Sequence, residues 1–440
     1  MTNSERFNRL CVRESLLQRL CLAGLAAILA LSAAGAVRAH DASHRDGLHA
    51  AQWLGSWGAA PLPPSAAVGP IPAAPAFNHQ TIRQIIRVSA GGHRVRVRLT
   101  NEYGTKPLVI GNASIALLNS SGAVKAGTKH ALTFAGQSGV TIPSAAPYLS
   151  DPVDLPVEAL SSLSISLFFP EDTGACTCHQ SGMQTGYVSE AGDFTGDATF
   201  PEKQRIQMRA FISGVEVEGS GKTVVVLGDS ISDGIGSTVD ANRRWPDRLA
   251  DRLVSRGGHQ RWGVVNMGIS GNRVLADGLG QSALSRFDRD VLSVPEAAYV
   301  IVFEGVNDLG VSYGNPAGPA AWFIRSFASG PKATPESLMA AYRQLIARAH
   351  EKGLKIIGAT ITPYEGADYY SAEGEAVREA INNWIRTGHA FDGVIDFDAA
   401  IRDSANPAQI KNGLHMGDHL HGSDAGYEAM ANAIDLSLFK

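Results

Sequence analysis

The chain has 440 residues, enough for two or three domains, and its 44% apolar and 18% charged content is that of a globular protein rather than a disordered one. The formal net charge of −4 comes with no basic block, which fits neither nucleic acid nor an anionic lipid surface as partner.

Residues 1–39 read as a secretory signal peptide cleaved after Ala39. Arg6, Arg9, Arg13 and Arg19 form a basic leader, residues 20–37 are apolar, and Val37-Arg38-Ala39 puts a small residue at the cleavage position. The alternative is an uncleaved anchor, since about 18 apolar residues nearly span a bilayer. No later segment is that apolar, so no stable membrane insertion is expected after cleavage, and the mature chain is expected in the periplasm or outside the cell. Removing five Arg and two Glu leaves 33 basic and 40 acidic residues, a balance of −7.

Residues 40–218 read as an antiparallel β-sandwich of jelly-roll type. An extended segment around Trp53 and Trp57 opens it. In the run 93–99, Val95, Val97 and Leu99 share one face and Arg94, Arg96 and Arg98 the other. A second strand, 81–88, precedes it across Gly91-Gly92, which predicts a hairpin. Further short strands are expected over 108–110, 114–118, 131–134 and 163–169. Cys176-Thr177-Cys178-His179 holds the two cysteines left after cleavage. Export argues for a Cys176–Cys178 disulfide. The rival is a metal or free-thiol site using His179, but two thiols and one histidine fall short of a closed zinc site, so no metal is expected.

Past Gly219-Ser220-Gly221 the pattern changes, and residues 219–440 alternate strand and helix. Strands are expected over 224–227, 264–267, 299–303, 355–360 and 394–397. Helices are expected from Pro246, from Thr334-Pro335-Glu336 to before Gly353, over 371–387 and over 426–438. Such alternation means a parallel sheet with helices on both faces.

Four segments carry chemistry. Gly228-Asp229-Ser230 closes the first parallel strand and sets Ser230 at the rim where such sheets bind ligands. By itself the tripeptide also describes a polar turn. Gly271, in Asn266-Met267-Gly268-Ile269-Ser270-Gly271, offers a backbone N–H to an oxyanion or is a turn glycine. Asn307, in Gly305-Val306-Asn307-Asp308, offers a side-chain amide or is a helix cap. Asp418 and His421 are spaced so that the carboxylate can orient the imidazole toward a serine. His415 and His419 lie close by, and spacing alone does not exclude His415. Gly310-Val311-Ser312-Tyr313-Gly314 matches a nucleophile elbow, but that motif needs a strand before it and a helix after it. A loop is expected before Ser312 and prolines after it, so Ser312 is set aside.

Together the four segments resemble the SGNH, or GDSL-type, hydrolase family over about residues 222–437. The resemblance implies a flavodoxin-like α/β/α fold, Ser230 as nucleophile, His421 as base oriented by Asp418, and an oxyanion hole of Ser230, Gly271 and Asn307. His419 stands where a glycine is frequent. The β-rich half is similar to that of some two-domain bacterial relatives.

The implied function is a secreted serine ester hydrolase needing no cofactor. It would act on short-chain acyl esters, including O-acetyl groups of polysaccharides. A lipase or arylesterase of broad specificity and an O-acyltransferase are the alternatives. A non-enzymatic glycan-binding protein is disfavoured because every catalytic role has a candidate residue. The sandwich is expected to pack on the catalytic domain and help select the substrate, or else only to stabilise the chain. The sequence does not set the oligomeric state.

Overall fold

The alternating runs of the amino-terminal half fold into two large antiparallel sheets that share one core, beside two two-stranded antiparallel ribbons. A four-stranded sheet runs in the order Trp53–Gly58, Ile212–Glu218, Val95–Thr100, Pro147–Leu149. A six-stranded sheet runs Glu202–Ile206, Gly186–Ala191, Gln80–Arg87, Ser162–Phe169, Asn112–Leu117, His130–Ala131. Val95, Val97, Leu99, Val215 and Val217 of the first sheet meet Ile82, Ile86, Ile115, Leu163 and Ile165 of the second in one apolar cluster. Burying a side chain of this size fully stabilises by about 1.5–3 kcal/mol, so the two inner faces hold this half together.

The hairpin expected across Gly91-Gly92 is not formed. Gln80–Arg87 pairs with Ser162–Phe169 and Gly186–Ala191, whereas Val95–Thr100 pairs with Ile212–Glu218 and Pro147–Leu149. The chain crosses between sheets at the two glycines. Both strands turn their apolar face to the same core, so the alternation is satisfied without their pairing.

The structure, a computed structural model, describes residues 52–69, 71–197 and 199–440. The signal-peptide reading therefore lies outside the described residues. Among the described residues no helix is long and apolar enough to cross a membrane.

The second half carries an all-parallel sheet ordered Trp262–Asn266, Lys222–Gly228, Ala297–Phe303, Lys355–Ala359, Gly393–Ile395. In chain order this is 2-1-3-4-5, the flavodoxin-like arrangement, and its switch point lies between the first and third strands. Helix Trp245–Ser255, whose Leu249 and Leu253 are buried, packs with Asp424–Asn432. Pro335–Glu351, capped by Thr334, packs with Ala372–Thr387. Two elements end sooner than expected. Asp396 caps a short helix, Phe397–Ile401, where strand was predicted to continue, and the last helix, Asp424–Asn432, gives way to a 3-10 turn at Leu436–Leu438.

The two halves touch closely within one compact unit, Trp53–Lys440. Strand Trp53–Gly58 lies against the sheet edge Trp262–Asn266. Buried Ser89 stitches the contact: its hydroxyl accepts from the Val264 N–H at 2.8 Å and donates to the Ser56 carbonyl at 2.6 Å.

Candidate active site

Strand Lys222–Gly228 is buried almost throughout and delivers Ser230 to its carboxyl end. The turn is tight. A Cβ at Gly228 would stand 2.1 Å from Ser232 Oγ and 3.0 Å from the Phe303 carbonyl oxygen, so only glycine lets the strand pass directly into a helix. Asp229 caps that helix by accepting the Ile231 N–H at 2.9 Å. Ser230 is the first residue of the single turn Ser230–Asp233, where N–H groups have no intrahelical partner.

His421 faces this serine. Its Nε2 lies 2.8 Å from Ser230 Oγ and its Nδ1 lies 2.6 Å from Asp418 Oδ2. The other Asp418 oxygen accepts the N–H groups of Leu420 and His421 at 3.1 and 3.0 Å. Burial pushes the Asp418 carboxyl up, but the bond to His421, the imidazole charge and those two N–H groups outweigh it and pull it down to about 2. The carboxylate is thus held ionised and aimed at the ring, which fixes the proton on Nδ1 and leaves Nε2 to accept from the serine.

His415 does something else. Its Nδ1 accepts the N–H groups of Gly417 and His419 at 3.1 and 3.2 Å, so it shapes the loop that presents Asp418. His419 has φ +57°, a left-handed conformation that glycine adopts without strain. That accounts physically for a glycine being frequent there in the resembling family.

The candidate oxyanion donors Gly271 and Asn307 line the same cavity as Ser230 and His421. Gly271 has φ +75°, and a Cβ there would meet Leu279 Cδ1 at 2.7 Å. Among the described residues no backbone acceptor takes the N–H of Gly271 or of Ser230. Asn307 sits in the first turn of helix Val306–Tyr313. One amide hydrogen goes to the Asn272 carbonyl at 3.0 Å, and its Oδ1 accepts from the Tyr369 hydroxyl at 3.3 Å. Both contacts fix the amide's orientation and leave its second hydrogen for a ligand.

Several supporting residues carry no signal in the sequence. Arg286, fully buried, lies under the strand ends. It donates to the carbonyls of Gly228 and Met267 at 3.0 and 2.5 Å, to Asn272 Oδ1 at 2.9 Å, to Asp290 at 3.0 Å and to Glu304 at 3.1 Å. One guanidinium thus ties the ends of three strands to the loop bearing Gly271. Burial, reinforced by Asp229, raises Glu304 above the usual carboxylate range, against the pull of Arg286. Asp308 accepts the N–H groups of Val274 and Leu275 at 2.7 and 3.0 Å, and burial lifts it to about 6 despite those bonds. In sequence Arg286 sits among Arg289, Asp288 and Asp290 and looks like part of a solvated charged turn.

The loop expected before Ser312 is not formed. Ser312 lies inside helix Val306–Tyr313, and its hydroxyl accepts the Ala333 N–H at 2.9 Å. It does not stand at a strand-to-helix elbow. Cys176 and Cys178 are joined by a disulfide, and His179 bonds Asp233 and a backbone carbonyl rather than the sulfurs.

This arrangement of serine, histidine, aspartate and candidate donors lies in the stretch that matches a family model, the GDSL-like Lipase/Acylhydrolase family, at residues 226–429. Residues 226–429 form a GDSL-like lipase/acylhydrolase domain. Solved structures resemble the same half of the chain. An acetyl xylan esterase from Geobacillus stearothermophilus is 20% identical, with 50% of this chain and 95% of that one covered and a TM-score of 0.37. A lipase/acylhydrolase from Enterococcus faecalis is 18% identical, with 48% and 92% covered and a TM-score of 0.36. A GDSL-like lipase from Bacteroides thetaiotaomicron is 16% identical, with 49% and 87% covered and a TM-score of 0.32. No curated protein matches the chain. The β-rich half lies outside the GDSL domain.

Proposed function

We propose that the protein is a carboxylic ester hydrolase that works through an acyl-enzyme on Ser230. The observation that carries this reading is the unbroken row Asp418–His421–Ser230, with both links within 2.8 Å. His421 Nε2 takes the Ser230 proton as Oγ bonds to the ester carbonyl carbon. The carbonyl oxygen becomes an oxyanion facing the N–H groups of Ser230 and Gly271 and the free amide hydrogen of Asn307. Collapse expels the alcohol, which receives the proton from His421. Water, deprotonated by the same ring, then releases the acid.

The cavity beside Ser230 supports neutral esters with an apolar group. Its volume is about 480 Å³, in the range of sites for drug-sized ligands. The β-rich half contributes Leu62, Pro75 and Met208, and the GDSL domain Leu279, Trp322 and Phe323. Asp233, Asp368 and Asp418 line it, with no Lys or Arg among the lining residues, so a carboxylate or phosphate on the substrate would find no counter-charge. This chemistry favours short to medium acyl esters over acetylated polysaccharide. The leader adds the proposal that the enzyme acts outside the cytoplasm. The shared walls support a part for the sandwich in choosing the substrate.

A panel of nitrophenyl acetate, butyrate and octanoate and acetylated xylan tests the reading. Hydrolysis of the neutral apolar esters with little deacetylation of xylan is expected. Rapid deacetylation of xylan with slow nitrophenyl ester turnover would overturn the substrate part, and no hydrolysis of any member would overturn the whole.

A further inference from the structure

A second histidine–aspartate pair lies behind the site, and it spans the two halves of the chain. His179, on the short strand Cys178–His179 of the β-rich half, places Nε2 2.8 Å from Oδ1 of Asp233. Both side chains are about 95% buried, at 5% and 4% exposed. His179 Nδ1 lies 3.0 Å from the Ala60 carbonyl oxygen. A carbonyl only accepts, so Nδ1 carries a proton, and one further proton is shared between Nε2 and Asp233. The pair is therefore neutral as a unit, which is what lets it sit in the interior.

Asp233 ends the helical turn that Ser230 begins. Its second oxygen accepts from the N–H of Ser270 at 3.1 Å and from the Ser270 hydroxyl at 2.8 Å. Ser270 supplies the carbonyl of the peptide whose N–H belongs to Gly271. Holding Ser270 at its N–H and its hydroxyl anchors the Cα from which that peptide departs. The strand bearing His179 is itself clamped. It pairs with Arg209–Ala210, bridges Leu62, and carries the Cys176–Cys178 disulfide at its start.

We propose that His179 is a positioning residue: through Asp233 and Ser270 it aims the Gly271 N–H, so that the β-rich half sets the geometry of the oxyanion hole. This rests on the ester-hydrolase reading above. Because the donor acts on charge that develops only in the transition state, loosening it lowers kcat and leaves KM nearly unchanged.

The test uses the full chain with a nitrophenyl ester, folding being checked by circular dichroism. His179→Phe keeps a ring but removes both bonds. Its kcat should fall by about 10- to 100-fold, the scale of a small misplacement at a reacting centre, with KM within about threefold. In His179→Gln the amide can still donate to Asp233, and most of the kcat should return. A folded His179→Phe with kcat within about twofold of the parent, or His179→Gln no better than His179→Phe, overturns the proposal. If His179→Phe does not fold, Ser270→Ala carries the test, because it removes one of the two bonds to Asp233. A lowered kcat at constant KM supports the proposal, and an unchanged kcat overturns it. A fluorophosphonate probe separates the two levels. Failure of the parent enzyme to be labelled at Ser230 would remove the ester-hydrolase reading, whereas normal labelling with normal His179→Phe turnover would remove only this inference.

Discussion

Replacing Asn307 by alanine tests the proposed oxyanion donor against a purely structural amide, because this side chain both holds buried hydrogen bonds and lines the cavity beside Ser230. The second Nδ2 hydrogen, which makes no bond among the described residues, is lost as a donor to the transition state. Removing one such donor typically costs about 10²- to 10³-fold in kcat, or roughly 2.7–4 kcal/mol. The Asn272 carbonyl and the Tyr369 hydroxyl, at 3.0 and 3.3 Å, also lose their partners. Each buried group left unpaired costs about 1–3 kcal/mol of stability unless water reaches it, so a loss near the low end is expected in this solvent-accessible cavity. Steady-state kinetics on nitrophenyl butyrate, with urea denaturation alongside, read the two effects. The expected result is a fall in kcat of at least about a hundredfold, KM within a few-fold, and a destabilisation of about 1–2 kcal/mol. A kcat within about threefold of the parent, with the stability loss present, would refute the donor role and leave Asn307 as a turn residue.

His421→Ala should be nearly inactive while His415→Ala keeps most activity; the reverse pattern in the same assay would move the base to His415. Arg286→Met should lower stability by about 3 kcal/mol, since breaking a buried charge network typically costs about 3–5, and the raised Glu304 can take up a proton to soften the loss. Urea unfolding midpoints check this, and an unchanged midpoint would contradict it. Asp418 has its carboxyl pulled down to about 2 from an ordinary 3.8, so its contribution to stability is present above about pH 4 and lost as pH falls through about 2. The stability gap between the parent and Asp418→Asn should therefore shrink between about pH 4 and 2, and a gap that persists undiminished at pH 2 would count against the carboxylate–imidazole contact.

The parallel sheet was legible because its strands are continuous apolar runs bounded by glycine and proline, as in Thr223 to Leu227 before Gly228. The order of the four chemical segments was legible for the same reason, since each follows a strand or closes the chain. What the sequence could not give is which alternating runs pair. Val95–Thr100 and Gln80–Arg87 both satisfy period two whether they face each other or sit in opposite sheets, and only the long-range partners Ile212–Glu218 and Ser162–Phe169 decide it. The choice between His415 and His421 was equally closed to spacing, because it rests on a loop containing a left-handed residue at His419. Arg286 and the His179–Asp233 pair were missed for a different reason. A charged residue reads as solvated unless its burial is known, and both are buried only because distant segments cover them.

The central claim is that Ser230 is the nucleophile, and covalent labelling tests it most directly. The folded full-length protein is treated with a fluorophosphonate probe, digested, and the modified peptide mapped by mass spectrometry. One label on Ser230 is expected, with loss of ester hydrolysis in step with labelling and neither labelling nor hydrolysis in Ser230→Ala. A label on Ser312 or another serine, or a Ser230→Ala protein that still hydrolyses nitrophenyl acetate at the parent rate, would contradict the account.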